Sequence, residues 1–596
     1  MKIIETQVLV VGGGPVGLSL AGDLGLRRLS CHLVERTDGQ IIQPKMDGVN
    51  VRTMEFCRRW QLTDAIRNCG YPKNYPQDMV YLTSFDGYEL GRESFVTPSG
   101  GAEERRQSSS PESRFRCPQN LFDPILKKFA LSHPSVQLNY QHSLLTFEDN
   151  GSHVTSEIKN EVTGQNLRIM SQYLVGCDGA SSTVRKILGI NSSGLGILTY
   201  ATNVLFQCKE LAGFGHIRLG YRYLFIGTQG VWATVVAISG ADIWRLSIIG
   251  SPVKTELTEA DIDLALKEIL GSNLTYKILS IVPWVRREQL ADSYRKGRVF
   301  LAGDSAHQTS PTGGFGMNLG IADAVDLSWK IQATIKGWGG EDLLNSYQIE
   351  RRPVAQRALR ESSGNLKRML SVKPEPRLLE KSLDGARIRY QIGQTYEATM
   401  LREWYKLGID LGYIYSPSPV IVEDSIQTKE HLALLDRDHD ASIPPNGYLE
   451  NGTPITPSLL REWQRLSLHQ AMGSVIQTDW QELEPHQVML YTQSSQPGAR
   501  APHVWLSDGR STLDWFGDGL VLIHINGDSA TIQWFEEICE VNQIPFQIHT
   551  DTVLELRDRY ITALTLVRPD GHVAWRGNTL NKTQIERVIS IVRGVI

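Results

Sequence analysis

The sequence has no long apolar run. None of its uncharged stretches approaches the roughly 20 residues that a membrane-spanning helix needs, so no membrane partner is expected. It has little cysteine: seven residues, at 31, 57, 69, 117, 177, 208 and 539, scattered and without a Cys-x-x-Cys pair. That spacing excludes a dithiol centre or a cysteine zinc site, and no metal is expected. It fits reduced thiols in a cytoplasmic protein. Nor is there an excess of charge of one sign. Lys and Arg number 61 against 65 Asp and Glu, which leaves −4 and no electrostatic case for nucleic acid. The opening Met1-Lys2-Ile3-Ile4-Glu5 runs directly into a strand pattern, with no apolar signal region. No internal repeat is found. What remains is an ordinary globular composition, 41% hydrophobic over 596 residues, too long for one core and expected to form two to four domains.

The pattern along the chain supplies the organisation. Residues 3–11 read as a strand, followed by a glycine turn, a helix to about Arg28 and a second strand from Ser30 to Glu35, a βαβ start. Thr97 to Ser113 is polar and reads as a mobile loop. Short β-rich segments between 196 and 290, such as Tyr223–Ile226, Val231–Ile238 and Trp244–Ile249, predict an antiparallel sheet inserted into the first domain. Val299 to Ala302 returns to the first sheet, and a helix follows from about Asn318 to Trp338. The expected division is therefore a discontinuous domain of residues 1–195 with 291–415, an insertion at 196–290, a linker at 416–429 and a third domain at 430–596. The third domain alternates strand and helix and ends on a helix.

Gly12-Gly13-Gly14-Pro15-Val16-Gly17 matches Gly-x-Gly-x-x-Gly between a strand and a helix. Such glycines allow a tight turn and a close approach to a pyrophosphate, which the helix N-terminus attracts. Glu35, 18 residues after Gly17, stands where an acid accepts hydrogen bonds from ribose hydroxyls. Two distant segments favour FAD over NAD. One is Cys177-Asp178-Gly179 with the run to Arg185. The other is Gly303-Asp304, followed by the glycine-rich Pro311-Thr312-Gly313-Gly314-Phe315-Gly316-Met317-Asn318. An Asp at the end of a parallel strand can bind a polyhydroxyl chain, and a second helix N-terminus can face an electron-accepting ring.

These three fingerprints, in order, resemble the single-component aromatic flavoprotein monooxygenases, the para-hydroxybenzoate hydroxylase family, and the length resembles its phenol hydroxylase branch. The resemblance implies an α/β fold: a Rossmann-type FAD-binding domain with an inserted antiparallel substrate sheet and a C-terminal thioredoxin-like domain. The segments Ser511–Phe516 and Val567–Trp575 look like parts of that last domain. It implies that Gly12, Gly14, Pro15 and Gly17 hold the pyrophosphate, and that Glu35 holds the ribose. Arg36, Arg52 and Gln119 are carried over as cofactor contacts. Asp304 would bind the ribityl or pyrophosphate region, with Gly314, Gly316, Met317 and Asn318 against the ring. Asp178 reads as structural in its turn or as a cofactor contact. Many relatives have arginine where this chain has Lys45.

The resemblance also implies NAD(P)H- and O₂-dependent hydroxylation of a phenolic ring through a flavin C4a-hydroperoxide. Asp47, in Asp47-Gly48, is the expected general base that ionises the phenol; the alternative is a turn or helix cap. Tyr223, ahead of Tyr221, is the candidate to bond the substrate oxygen, and the Pro311 carbonyl is expected near the reacting ring. His307 is read as backbone support, and Trp284 and Trp329 as core. No second Gly-x-Gly-x-x-Gly appears, which fits a nicotinamide cofactor that docks transiently. Expected partners are a small phenolic substrate and a second copy of the chain in a homodimer. A halogenase is disfavoured because no Trp-x-Trp-x-Ile-Pro stretch occurs. A flavin dehydrogenase or a non-catalytic scaffold on the same fold stay open.

Overall fold

The computed structural model describes residues 3–95, 97, 109–213, 217–271, 274–424, 483 and 485–596. Most of the expected 97–113 loop, part of the expected linker and residues 430–482 of the expected third domain lie outside the described residues.

The apolar run Ile3–Val11 forms the centre of the first sheet, because its four last side chains are buried on both faces. It pairs in parallel with Asn166–Gly176 on one side and Cys31–Glu35 on the other. Val136–Tyr140 and Val299–Leu301 extend the parallel ladder outward. Strands His142–Asp149 and Val154–Asn160 add an antiparallel flank. Parallel strands need crossovers, and the helices Pro15–Leu26 and Gln119–Leu131 supply two of them.

The second sheet has eight strands. Lys277–Ala291, Ser192–Gln207, Ile243–Ile249, Gly230–Ala237 and Arg222–Gly227 are its antiparallel body. It draws on more chain than residues 196–290: Met79–Leu82 joins parallel to Arg222–Gly227, Glu89–Glu93 follows, and His307–Gln308 closes the other edge. One face packs on the helix Glu259–Leu270, around Phe85, Phe225 and Trp244. The other face carries polar residues and looks into the molecule.

Two long helices, Gly316–Ile335 and Glu341–Met369, stack behind the first sheet. The second of these, which carries Pro353 inside it, is not among the expected elements. A third sheet, ordered Phe546–His549, Leu520–His524, Leu564–Val567, Val573–Gly577, packs one face on the helices Ser529–Val541 and Lys582–Val592. Its core is continuous with Trp329, Trp338 and Leu343 of the long helices. Fully buried Arg568 crosses this contact, with Nη1 donating to Glu350 Oε1 at 2.6 Å and Nη2 meeting Asp326 at 3.3 Å. Beside it Arg500 bonds Glu55 and Arg52 donates to the Asp570 carbonyl. No helix among the described residues is long and apolar enough to cross a membrane.

Candidate active site

The two glycine-rich elements, the Asp47 segment and the polar face of the second sheet close around a cavity of about 590 Å³. Of the residues singled out in the sequence, Gly14, Pro15, Asp47, Gln119, Asp304, Pro311, Gly314, Gly316, Met317 and Asn318 line it, although up to 304 positions separate them.

The glycines of the first turn divide by job. At Gly12 φ is +112°, and a Cβ would stand 2.3 Å from the Cys177 carbonyl oxygen; at Gly17 it would stand 1.9 Å from the Gly12 oxygen. These two glycines let the turn and its neighbouring strand pack at all. Gly14 differs: a Cβ there would meet nothing within 4 Å, and its backbone faces the cavity. It caps the helix Pro15–Leu26 without a side-chain bond, so the first-turn N–H groups are open to a ligand. Gly314, at φ +61°, likewise has nothing within 4 Å. The helix it precedes, Gly316–Ile335, also starts without a side-chain cap. Two open backbone cradles at helix starts, with Asp304 between them, fit an extended dinucleotide. Asp304 is exposed to the cavity, and desolvation by the protein packed around it raises its carboxyl above the usual range, opposed by His307 and Lys45.

Asn318 locks the second cradle to the Asp47 segment. Its Nδ2 donates to the carbonyls of Gly314 at 2.9 Å and Gly48 at 3.2 Å, and its Oδ1 accepts from Asn50 N–H at 3.0 Å. Asn50 in turn caps the helix Val51–Arg59 and bonds Asp410 at 2.9 Å. Asp47, which the sequence left between base and cap, is therefore not the cap.

Asp47 Oδ2 instead accepts a hydrogen bond from the Tyr221 hydroxyl. Arg116 lies 3.4 Å from Oδ1 and Arg245 3.9 Å from Oδ2. The Arg116 guanidinium also stacks 3.5 Å above the Tyr221 ring. Burial, and the adjacent Asp47 charge, push the Tyr221 phenol well above its ordinary value against the pull of Arg116, so it stays a proton donor. Across the cavity Glu403 accepts from Arg222 at 2.5 Å and from Gly313 N–H at 3.0 Å. Lys406 donates to the Gly313 carbonyl. The loop before the second cradle is thus held by one acid and one base.

Several expectations are corrected. Tyr223 is buried against Phe85 and Trp244, its hydroxyl accepting Gly220 N–H at 2.6 Å, and it does not line the cavity; Tyr221 does. Arg52 turns away, bonding Glu55 at 2.8 Å and the C-terminal sheet's Asp570 carbonyl at 2.9 Å. Asp178 does not line the cavity: its Oδ2 accepts from Thr183 and Val184 N–H, the structural one of its two readings. Glu35 needs no such correction: it accepts Gly13 N–H at 2.7 Å and Thr37 N–H at 2.9 Å, beside the turn where the ribose was expected, and Arg36 is exposed. Trp284 lines the cavity, whereas Trp329 is core. His307 is fully buried on Asp323 at 2.7 Å.

Sequence reasoning missed Arg116, Arg222, Arg245, Arg286 and Glu403. A signal existed for Arg245 and Ser247, which alternate with buried Trp244 and Leu246 along Ile243–Ile249. Polar residues on an otherwise enclosed strand face mark a cavity wall.

Two family models match the chain, the FAD binding domain over residues 5–362 and the aromatic-ring hydroxylase C-terminal domain over residues 494–594. The FAD-dependent monooxygenase apdD of Emericella nidulans is 28% identical, covering 98% of this chain and 90% of its own. The 2,4-dichlorophenol 6-monooxygenase of Delftia acidovorans is 27% identical, with 99% of both chains covered. The rebeccamycin biosynthetic enzyme RebC, solved with reduced flavin, superposes with a TM-score of 0.83 at 32% identity over the full length of both chains. With matching models at both ends, the chain belongs to the FAD-dependent monooxygenase family of aromatic-ring hydroxylases.

Proposed function

We propose that the protein hydroxylates a phenolic aromatic substrate with O₂, using FAD reduced by NAD(P)H. The observation that carries this reading is the Asp47–Tyr221 pair opening onto the same cavity as both backbone cradles. The names of relatives that act on chlorinated phenols point the same way.

In this reading the open N–H groups after Gly14 hold the FAD pyrophosphate, Asp304 and Gln119 lie along its chain, and Gly314 to Asn318 receive the ring. FAD, when bound, supplies the oxygen activation. The protein's own work is to raise the nucleophilicity of the ring. The substrate hydroxyl donates to the Tyr221 oxygen, whose proton passes to Asp47 Oδ2; Asp47 is thus the terminal base and Tyr221 the relay. Arg116 and Arg245 offset the charge that moves there. Pro311 remains beside the reacting ring as the expected carbonyl contact.

The reading also keeps the division into residues 1–195 with 291–415, 196–290, a 416–429 linker and a thioredoxin-like 430–596, a transient nicotinamide, a homodimer and a cytoplasmic setting. All seven cysteines are free, which fits that setting. Incubation of the FAD-loaded protein with simple phenols should give coupled NAD(P)H oxidation, O₂ uptake and a product heavier by one oxygen. Reduction of FAD without oxygen in the product would replace this reading with a dehydrogenase.

A further inference from the structure

Spacing along the chain shows no cysteine pair, but the fold makes one from Cys69 and Cys117. Cys69 stands in the turn after the helix Thr63–Arg67, half-buried between exposed Asn68 and Gly70. Its Sγ lies 3.7 Å from the Arg116 carbonyl oxygen. The fully buried Cys117 thiol next to it donates a hydrogen bond to the Cys69 sulfur. Cys117 follows the short strand Phe115–Arg116, which pairs with Gly48–Val49, and its own N–H donates to the Asp47 carbonyl at 3.0 Å. Arg116, one residue earlier, stacks on Tyr221 and stands 3.4 Å from the Asp47 carboxylate. The second sulfur of the pair is therefore one peptide away from the groups that hold the Asp47–Tyr221 pair.

All seven cysteines lie among the described residues, and they are not alike. Burial pushes the Cys31, Cys57, Cys177, Cys208 and Cys539 thiols up, which disfavours the reactive thiolate. Cys69 differs. The bond from the Cys117 thiol, opposed by burial and helped by the Tyr71 N–H, draws it below its ordinary value. The same bond, together with burial, holds the Cys117 thiol up as the proton donor. One sulfur is thus the better nucleophile and partly open to solvent, and its neighbour is a protonated thiol within reach. That is the division of labour between an attacking and a resolving cysteine.

We infer that Cys69 and Cys117 are a peroxide-sensitive dithiol whose closure to a disulfide displaces the Arg116 strand and slows the site. The Cys69 thiolate attacks one oxygen of hydrogen peroxide. An S–O bond forms, the O–O bond breaks, and the hydroxide leaves as water with the proton that the thiol gave up. The Cys117 sulfur then attacks the Cys69 sulfenic acid: the S–S bond forms, the S–O bond breaks, and the hydroxyl leaves with the Cys117 proton as a second water. Two electrons pass from the sulfurs to peroxide, and dithiothreitol returns them. Closure draws the sulfurs from hydrogen-bond contact to about 2.05 Å. Cys117 follows only by pulling on Arg116 and on its bond to the Asp47 carbonyl. In a reducing setting such a bond is transient and redox-sensing. The hydroxylase reading enters only through the effect on turnover.

The test treats the FAD-loaded protein with hydrogen peroxide, blocks the remaining thiols with iodoacetamide in denaturant and maps the peptides by mass spectrometry. A linked pair carrying Cys69 and Cys117 should appear and vanish with dithiothreitol, while turnover of a simple phenol falls at least about 10-fold and recovers with it. Cys69→Ser should keep its turnover through the same treatment. Cys117→Ser should leave Cys69 as a sulfenic acid that dimedone captures. A link to Cys57 instead, every thiol alkylated after peroxide, or an equal loss of turnover in Cys69→Ser overturns the dithiol. A closed bond with turnover unchanged overturns its control of the site. The peptide map needs no activity, so a protein that closes the bond but hydroxylates no phenol keeps the dithiol and loses the hydroxylase reading. A hydroxylase that closes no bond does the reverse.

Discussion

At the scale of single residues, the site turns on a tyrosine one position outside a strand. Within Arg222–Gly227 alternation assigns Arg222 to the cavity and Tyr223 to the opposite core. Tyr221 precedes the strand, so alternation does not bind it, and its ring swings to Asp47. This is why sequence favoured the wrong tyrosine: the strand's start, not its composition, decides. Asp47→Ala should keep FAD and lose about 10²–10⁴-fold in turnover. Tyr221→Phe should lose about 10–100-fold, the cost of one hydrogen bond to a charged group. Single-turnover rates for both variants, with flavin content measured in parallel, check the pair. Near-normal hydroxylation by Asp47→Ala across pH would remove it from the reaction.

At the scale of elements, the glycine turn was legible from the sequence because its chemistry is local: strand, turn and helix lie within 24 residues, and backbone geometry alone demands glycine at 12 and 17. What sequence could not separate is packing glycine from ligand glycine, since that depends on Cys177, 160 positions beyond Gly17. Gly14→Ala should fold normally, because its φ of −76° suits alanine and no protein atom is in the way, yet it should retain little FAD. Gly17→Ala should fail earlier, as poorly soluble protein, because its Cβ meets backbone. Flavin absorbance per polypeptide, beside circular dichroism, separates the two outcomes; a Gly14→Ala protein saturated with FAD would contradict the cradle.

At the scale of the whole molecule, the C-terminal sheet is bound by buried charge as well as by the shared Trp329 core. None of this could be read from sequence, because Arg568 finds Glu350 across 218 positions and Arg500 finds Glu55 across 445. Removing one partner leaves the others uncompensated. Arg568→Met is expected to cost about 3–5 kcal/mol, read as a lowered unfolding temperature by calorimetry. The contact is also acid-sensitive. Burial alone would raise the Glu55 carboxyl, but Arg500 and Arg52 hold it down at about 2, below its ordinary 4.5. A depressed carboxyl adds stability above the unfolded value and loses it as pH falls towards the folded one, here about 3 kcal/mol. Glu55→Gln should therefore be much less stable than wild type at neutral pH, and the gap should narrow at about pH 3 in urea unfolding. A gap that stays constant with pH would mean that Glu55 is not ionised in the folded protein.

The two walls of the cavity come from different sheets, and this has a practical consequence. Thr234, Val236, Ser247 and Trp284 face the cavity from the second sheet and touch neither glycine cradle in sequence nor in strand pairing. A combinatorial library confined to those four positions would retune which ring systems are admitted without disturbing the grip on the flavin, so the scaffold is evolvable for new acceptors one wall at a time.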